Sequence, residues 1–176
     1  MSTAAYDAKL VGAVAFASGL GVGAVLMGLS RQQTYAPRRV HTESAPSPVR
    51  GTGPNGESLE CYAQAMESGG FLWVSGQIGM DPATGALVEG GAKQQAEQVL
   101  QNLEAVLKAG GSSLERVVKV TVLCDGAGWP QNYNDVNEVY LSHFKQDPRP
   151  ARAAFAVAAL PKGALVEIEC VAAIDP

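Results

Sequence analysis

The sequence predicts an α+β domain, a mixed sheet with two helices on one face, and three observations carry that prediction. Two stretches repeat apolar residues at three–four spacing, the period of a helix that buries one face. Five short runs rich in β-branched and aromatic residues are bounded by turn-forming residues, as strands are. Their order, hairpin, helix, strand, helix, hairpin, gathers strands into one layer and helices into another. With 47% of its 176 residues hydrophobic, the chain can fill the core between such layers.

The first two strand runs are residues 60–66 and 71–77, joined by the turn Ser68-Gly69-Gly70. The helix over 92–109 turns Ala96, Val99, Leu100, Leu103, Val106 and Leu107 inward. Glu104 and Lys108 pair on its outer face, and Gly110-Gly111 stops it. Residues 117–123 form the third run, and the second helix covers 131–144 with Tyr133, Val136, Tyr140, Leu141 and Phe144 inside. Runs 153–157 and 166–173 follow, joined by Leu160-Pro161-Lys162-Gly163 as a closing hairpin. No helix remains for the second face of the sheet, so self-association is expected to cover it.

The first fifty residues differ in kind. Residues 10–29 form an uncharged run of twenty in which Ser18 is the one polar side chain. A helix of that length spans about 30 Å, the thickness of a bilayer core. Five of the twenty are glycine, and Ala15, Gly19 and Gly23 make a small-residue row that would admit a second helix closely. Arg31, Arg38, Arg39 and Arg50 follow, so the body is expected on the positive-inside face. A mitochondrial inner membrane facing the matrix leads, with a plastid or cytosol-facing membrane as alternatives. Residues 31–58, with Pro37, Pro46, Pro48 and Pro54 and no apolar period, read as a linker without a fold of its own. The chain therefore divides into an N-terminal segment (1–30), a linker (31–58) and a body (59–176).

Charge follows that division. Residues 1–50 hold five Lys/Arg against two acids, whereas residues 51–176 hold eight against fifteen. So acidic a body argues against nucleic acid as a partner, because phosphate neutralisation needs a basic surface. Cys61, Cys124 and Cys170 show neither a disulfide framework nor zinc spacing, and His41 and His143 have no paired ligands, so no metal is expected. Two glycine patterns, at 51–56 and 19–24, lack the strand and helix that a dinucleotide site requires.

Several strings stand in order along the body. They are Val74-Ser75-Gly76-Gln77-Ile78, Gln98-Val99-Leu100-Gln101-Asn102-Leu103 and Val136-Asn137-Glu138-Val139-Tyr140. Pro150-Ala151-Arg152 and the run from Leu160 to Glu169 complete them. In these the body resembles the Rid family, also called YjgF-type, the 2-iminobutanoate/2-iminopropanoate deaminases. The resemblance implies a chorismate-mutase-like α+β unit that assembles as homotrimers, with ligand sites in clefts between subunits. It also implies hydrolysis of 2-enamine and 2-imino acids to 2-keto acids and ammonia.

By the same resemblance Arg152 holds the substrate carboxylate, a task that suits a guanidinium better than an ammonium. Glu167 orients the attacking water and takes its proton, helped by the backbone carbonyl of Ala154. Tyr62 closes the pocket, with Asn137 and Ser75 as further substrate-binding residues. An iminium is already electrophilic, so no cofactor or metal is expected. The body departs from the family at Glu60-Cys61 before the tyrosine, at Gly79, and in a lengthened turn around Gly126-Ala127-Gly128. A second expectation, from the uncharged run with its small-residue row and from the altered loops, is a non-catalytic accessory subunit of a larger membrane complex; a third, weaker one, which the resemblance implies, is a ribonuclease or translation inhibitor.

Overall fold

The computed structural model describes residues 36–174. In it eight strands and two longer helices follow one another. The strands are β1 (Arg38–Val40), β2 (Arg50–Thr52), β3 (Ser58–Glu60), β4 (Ala65–Ser68), β5 (Phe71–Ile78), β6 (Val117–Asp125), β7 (Ala151–Val157) and β8 (Val166–Ala173). Helix α1 (Ala92–Ala109) lies between β5 and β6, and α2 (Gln131–His143) between β6 and β7. Six strands make one mixed sheet in the order β1-β4-β5-β8-β6-β7, while β2 and β3 pair as a separate ribbon.

The β4–β5 hairpin pivots on Gly69 and Gly70, at φ 64° and 79°. Two successive left-handed residues match the twist of a two-residue turn, and glycine takes them without a Cβ penalty. Helix α1 packs on β5 and β8, and α2 packs on α1. All six residues expected on the inner face of α1 are buried, and the Glu104–Lys108 pair closes at 2.8 Å. His143 Nε2 meets Glu97 Oε2 at 2.8 Å, so this histidine ties the two helices together. The opposite face of the sheet leaves Phe71, Trp73 and Phe155 exposed.

Four expectations are corrected. The described part of the expected linker, residues 36–58, is not a bare linker. β1 pairs with β4, β2 opens a ribbon with β3, and Val40 and Ala45 are buried in the core. The pattern hides this because the strands are three residues long and the Ala45 contact needs no periodicity. The first strand run is split, since residues 58–60 belong to the ribbon and the sheet strand starts only at Ala65. The closing hairpin does not exist: β6 sits between β7 and β8, parallel to the first and antiparallel to the second. The connection through α2 is long enough for a parallel crossover, which a sequence order alone does not reveal. On α2, Leu141 is exposed and Val139 is buried, because residue 141 lies one position, about 100°, round from Tyr140.

No described helix is long and apolar enough to cross a membrane. The expected span at 10–29 lies outside the described residues.

Candidate active site

Strand parity decides where the acid points. Val166, Ile168 and Cys170 are buried against the helices, so Glu167 and Glu169 project from the other face. Beside Glu167, β5 carries a bulge, for the register with β8 slips between Val74 and Gln77. The bulge falls at Ser75-Gly76 and re-aims the strand there. A Cβ on Gly76 would stand 1.9 Å from Glu167 Oε1, so the carboxyl lies where any other residue would place its side chain. Burial, and secondarily the charge of Glu169, pushes the Glu167 pKa up from its ordinary value.

The same bulge holds the loop that carries Tyr62. Ser75 Oγ donates to the Ala63 carbonyl at 2.7 Å, and Ser75 N–H donates to the Gln64 carbonyl at 3.0 Å. Asn102 on α1 donates to the carbonyls of Ile78 (3.2 Å) and Met80 (2.9 Å), pinning the end of β5. Tyr62, Ser75, Gly76, Ile78 and Glu167 line one cavity of about 300 Å³.

Arg152 stands elsewhere. On β7 it is in register with Val120, and Ala154 with Val122, both core residues. Neighbours in register share a face, so Arg152 and Ala154 face the helices. Arg152 Nη1 donates to Asn137 Oδ1 on α2 at 2.7 Å. Its guanidinium lies 4.2 Å from the centre of the Tyr140 ring and 5.7 Å from that of Tyr133. Nε and Nη2 are buried without a hydrogen-bond partner among the described residues. These two N–H groups form the side-on pair of a guanidinium, the edge that two carboxylate oxygens accept from together. Burial pushes the neighbouring Tyr140 hydroxyl up, against the opposing effect of Arg152, so the tyrosine stays neutral.

The six residues singled out in the sequence thus fall into two groups. Tyr62, Ser75 and Glu167 meet on the open face of the sheet. Arg152, Asn137 and Ala154 meet on the helix face, at its β7 edge. Within one chain the two groups do not form one pocket.

Comparison with known proteins agrees with this fold. The family profile described as Endoribonuclease L-PSP matches residues 55–174. The human 2-iminobutanoate/2-iminopropanoate deaminase is 48% identical over 115 residues, covering 65% of this chain and 81% of the relative. A crystal structure of RidA from an Antarctic Psychrobacter bacterium superposes with a TM-score of 0.66 at 41% identity, covering 78% of this chain and 99% of that one. The chain belongs to the Rid (YjgF, endoribonuclease L-PSP) family. A further Rid-fold neighbour, Escherichia coli TdcF with bound serine, superposes with a TM-score of 0.66 at 31% identity, covering 78% of this chain and 99% of that one.

Sequence reasoning passed over three residues of this Rid site. Gly76 appears only as part of a quoted string, although a glycine inside a strand pattern is itself a sign of a bulge or a close approach. Lys162 lines the cavity and is the one non-glycine residue at positive φ (57°) among the described residues. Gln64 is fully buried and hydrogen-bonded to residues 42–46, with no sequence signal to mark it.

Proposed function

We propose that this Rid protein hydrolyses small 2-imino acids, and their 2-enamine tautomers, to 2-keto acids and ammonia, at sites completed between copies of a homotrimer. The observation that carries the reading is the complementarity of the two groups. Among the described residues, Arg152 offers a bidentate edge with no acceptor, and Glu167 offers a half-buried carboxyl with a raised pKa and no counter-charge. A second copy brings the missing partner to each. The names of the human, rat and mouse relatives, at 45–48% identity, support the same chemistry.

In this mechanism Arg152 takes the substrate carboxylate, and Asn137 holds the guanidinium from behind. Glu167 accepts a proton from water as its oxygen bonds to C2 of the iminium. The resulting carbinolamine receives that proton on nitrogen, and as the C–N bond breaks and ammonia leaves, the freed Glu167 carboxylate takes the hydroxyl proton and C2 becomes the keto carbon. The Ala154 carbonyl assists in orienting the water, and Tyr62 stands at the rim.

Mixing two dead variants tests both chemistry and assembly. Arg152→Ala and Glu167→Gln should each fail to release ammonia from 2-aminoacrylate generated in situ. Co-refolded in equal amounts, they should recover activity, since about a quarter of the interfaces then pair an intact arginine with an intact glutamate. Full activity of Arg152→Ala would end the deaminase reading, and no recovery on mixing would end the shared site. The non-catalytic alternative draws on the altered loops and on residues 10–29. Their uncharged run supports a membrane tether, with the body on the basic, positive-inside side, and extraction of the full chain from native membranes by alkaline carbonate would refute it.

A further inference from the structure

The cavity beside Glu167 takes one wall from the arm that precedes the β2–β3 ribbon. Pro46, Ser47 and Val49 line it. Residues 41–49 belong to no strand, so their backbone groups need other partners. One side chain supplies four of them, beside a bond from Cys61 N–H to the Val49 carbonyl and one from Ser44 N–H to Thr42 Oγ1. Gln64, fully buried, accepts from Thr42 N–H at 2.7 Å through Oε1. Its Nε2 reaches the carbonyls of Thr42 (3.0 Å), Ala45 (3.2 Å) and Pro46 (3.0 Å), sharing two N–H groups among three acceptors. Ala45 and Pro48 are buried, while Pro46 and Val49 border the cavity.

The wall so formed is apolar. Pro46 and Val49 join Tyr62, Ile78 and Met80, and the charged residues of the lining are Glu167 and Lys162. Lys162 Nζ donates to the Gly85 carbonyl at 3.3 Å, which ties its ammonium to a neighbouring turn. A three-carbon imino acid offers this wall a single methyl group and leaves most of its apolar surface without a substrate contact. Resting on the deaminase reading above, we infer that residues 46–49 form a side-chain subsite, clamped by Gln64 as a positioning residue. The subsite selects 2-imino acids with branched aliphatic or thioether side chains over the three-carbon substrate.

The test uses the full chain and imines made in situ by an L-amino-acid oxidase from leucine, methionine and alanine. For the parent, kcat/KM for the leucine- and methionine-derived imines should exceed that for the alanine-derived one by about tenfold or more, as one or two buried methylenes discriminate in such pockets. Val49→Asp, at an exposed position, should cut that ratio about tenfold, and Gln64→Leu should cut it as well. A parent that favours the alanine-derived imine, or a ratio unmoved by Val49→Asp, overturns the inference while leaving the deaminase reading intact. If Gln64→Leu does not fold, Val49→Asp decides alone. If no imine is hydrolysed, the deaminase reading fails, and binding of the keto acids decides the subsite. Tighter binding of 4-methyl-2-oxopentanoate than of pyruvate, lost in Val49→Asp, sustains it; equal binding overturns it.

Discussion

The helix-face group around Arg152 and the open-face group around Glu167 differ in how they are held, and the difference shows what each contributes. Arg152 is gripped: one nitrogen bonds Asn137, the flat face lies over Tyr140, and two donors remain buried and unpaired. Glu167 is instead accommodated. The missing side chain of Gly76 makes its space, and burial raises its pKa without a counter-charge. Orientation is built at the cation and basicity at the acid. Both arrangements oppose stability in the isolated chain, since buried unpaired donors and desolvated carboxyls each cost free energy. A substrate with a carboxylate at one end and an iminium at the other answers both.

The largest expected effect separates the groups by kinetics. Glu167→Gln should lower kcat by about 10²–10⁴-fold, the range of a general base, with KM little changed. Arg152→Lys should instead raise KM strongly, because an ammonium cannot reproduce the bidentate edge. Equal kcat and KM effects from both variants would erase the distinction between basicity and orientation.

Stability sharpens the contrast next. The Glu167 carboxyl is raised above its ordinary 4.5, so the folded chain holds that proton more tightly than the unfolded one. Its stabilising contribution is complete below the ordinary value and is lost as pH rises through the raised one. Glu167→Gln should therefore melt higher than the parent at about pH 8, and the gain should vanish towards about pH 4. Activity runs the other way, falling in the parent as acid protonates the base. Melting curves at both pH values check this, and a variant less stable at high pH would contradict it.

Gly76→Ala comes third. Its methyl would occupy the position of Glu167 Oε1, and the flexible end of the glutamate can swing away at little cost to the fold. A displacement of about 1 Å can cost about 10²-fold in rate, so activity should fall by that order while the melting temperature holds. Unchanged turnover would mean that the carboxyl need not lie in the bulge.

Much of this was legible in the sequence where one element alone decides the pattern. The inner face of α1 follows from its own period, and Gly69-Gly70 announces its turn. Adjacency was not legible. Residues 153–157 and 166–173 read as partners, yet β6 lies between them, and that insertion together with strand parity sends Arg152 and Glu167 to opposite faces. The resemblance pointed to the residue types at the site, but which of them share a pocket depends on register, which no short string encodes. The arm at 41–49 was invisible for a different reason. Its partner is one buried amide, Gln64, and a single polar residue at the start of a strand carries no periodicity to read.

Ser75→Ala should have the smallest effect, and it tests whether that residue belongs with the substrate or with the scaffold. Its hydroxyl proton is already committed to the Ala63 carbonyl, so it cannot also donate to a ligand. Removing the hydroxyl leaves that carbonyl without its donor, which should cost about 1 kcal/mol of stability. The loop bearing Tyr62 loses one of its two ties to the bulge, while the Ser75 N–H to Gln64 bond survives. A rise in KM of a few fold, with kcat and the pH profile of Glu167 unmoved, would mark Ser75 as a support for the rim. A change in the pH profile would instead place its hydroxyl in contact with the reacting water or the acid, and the open-face group would then be catalytic throughout.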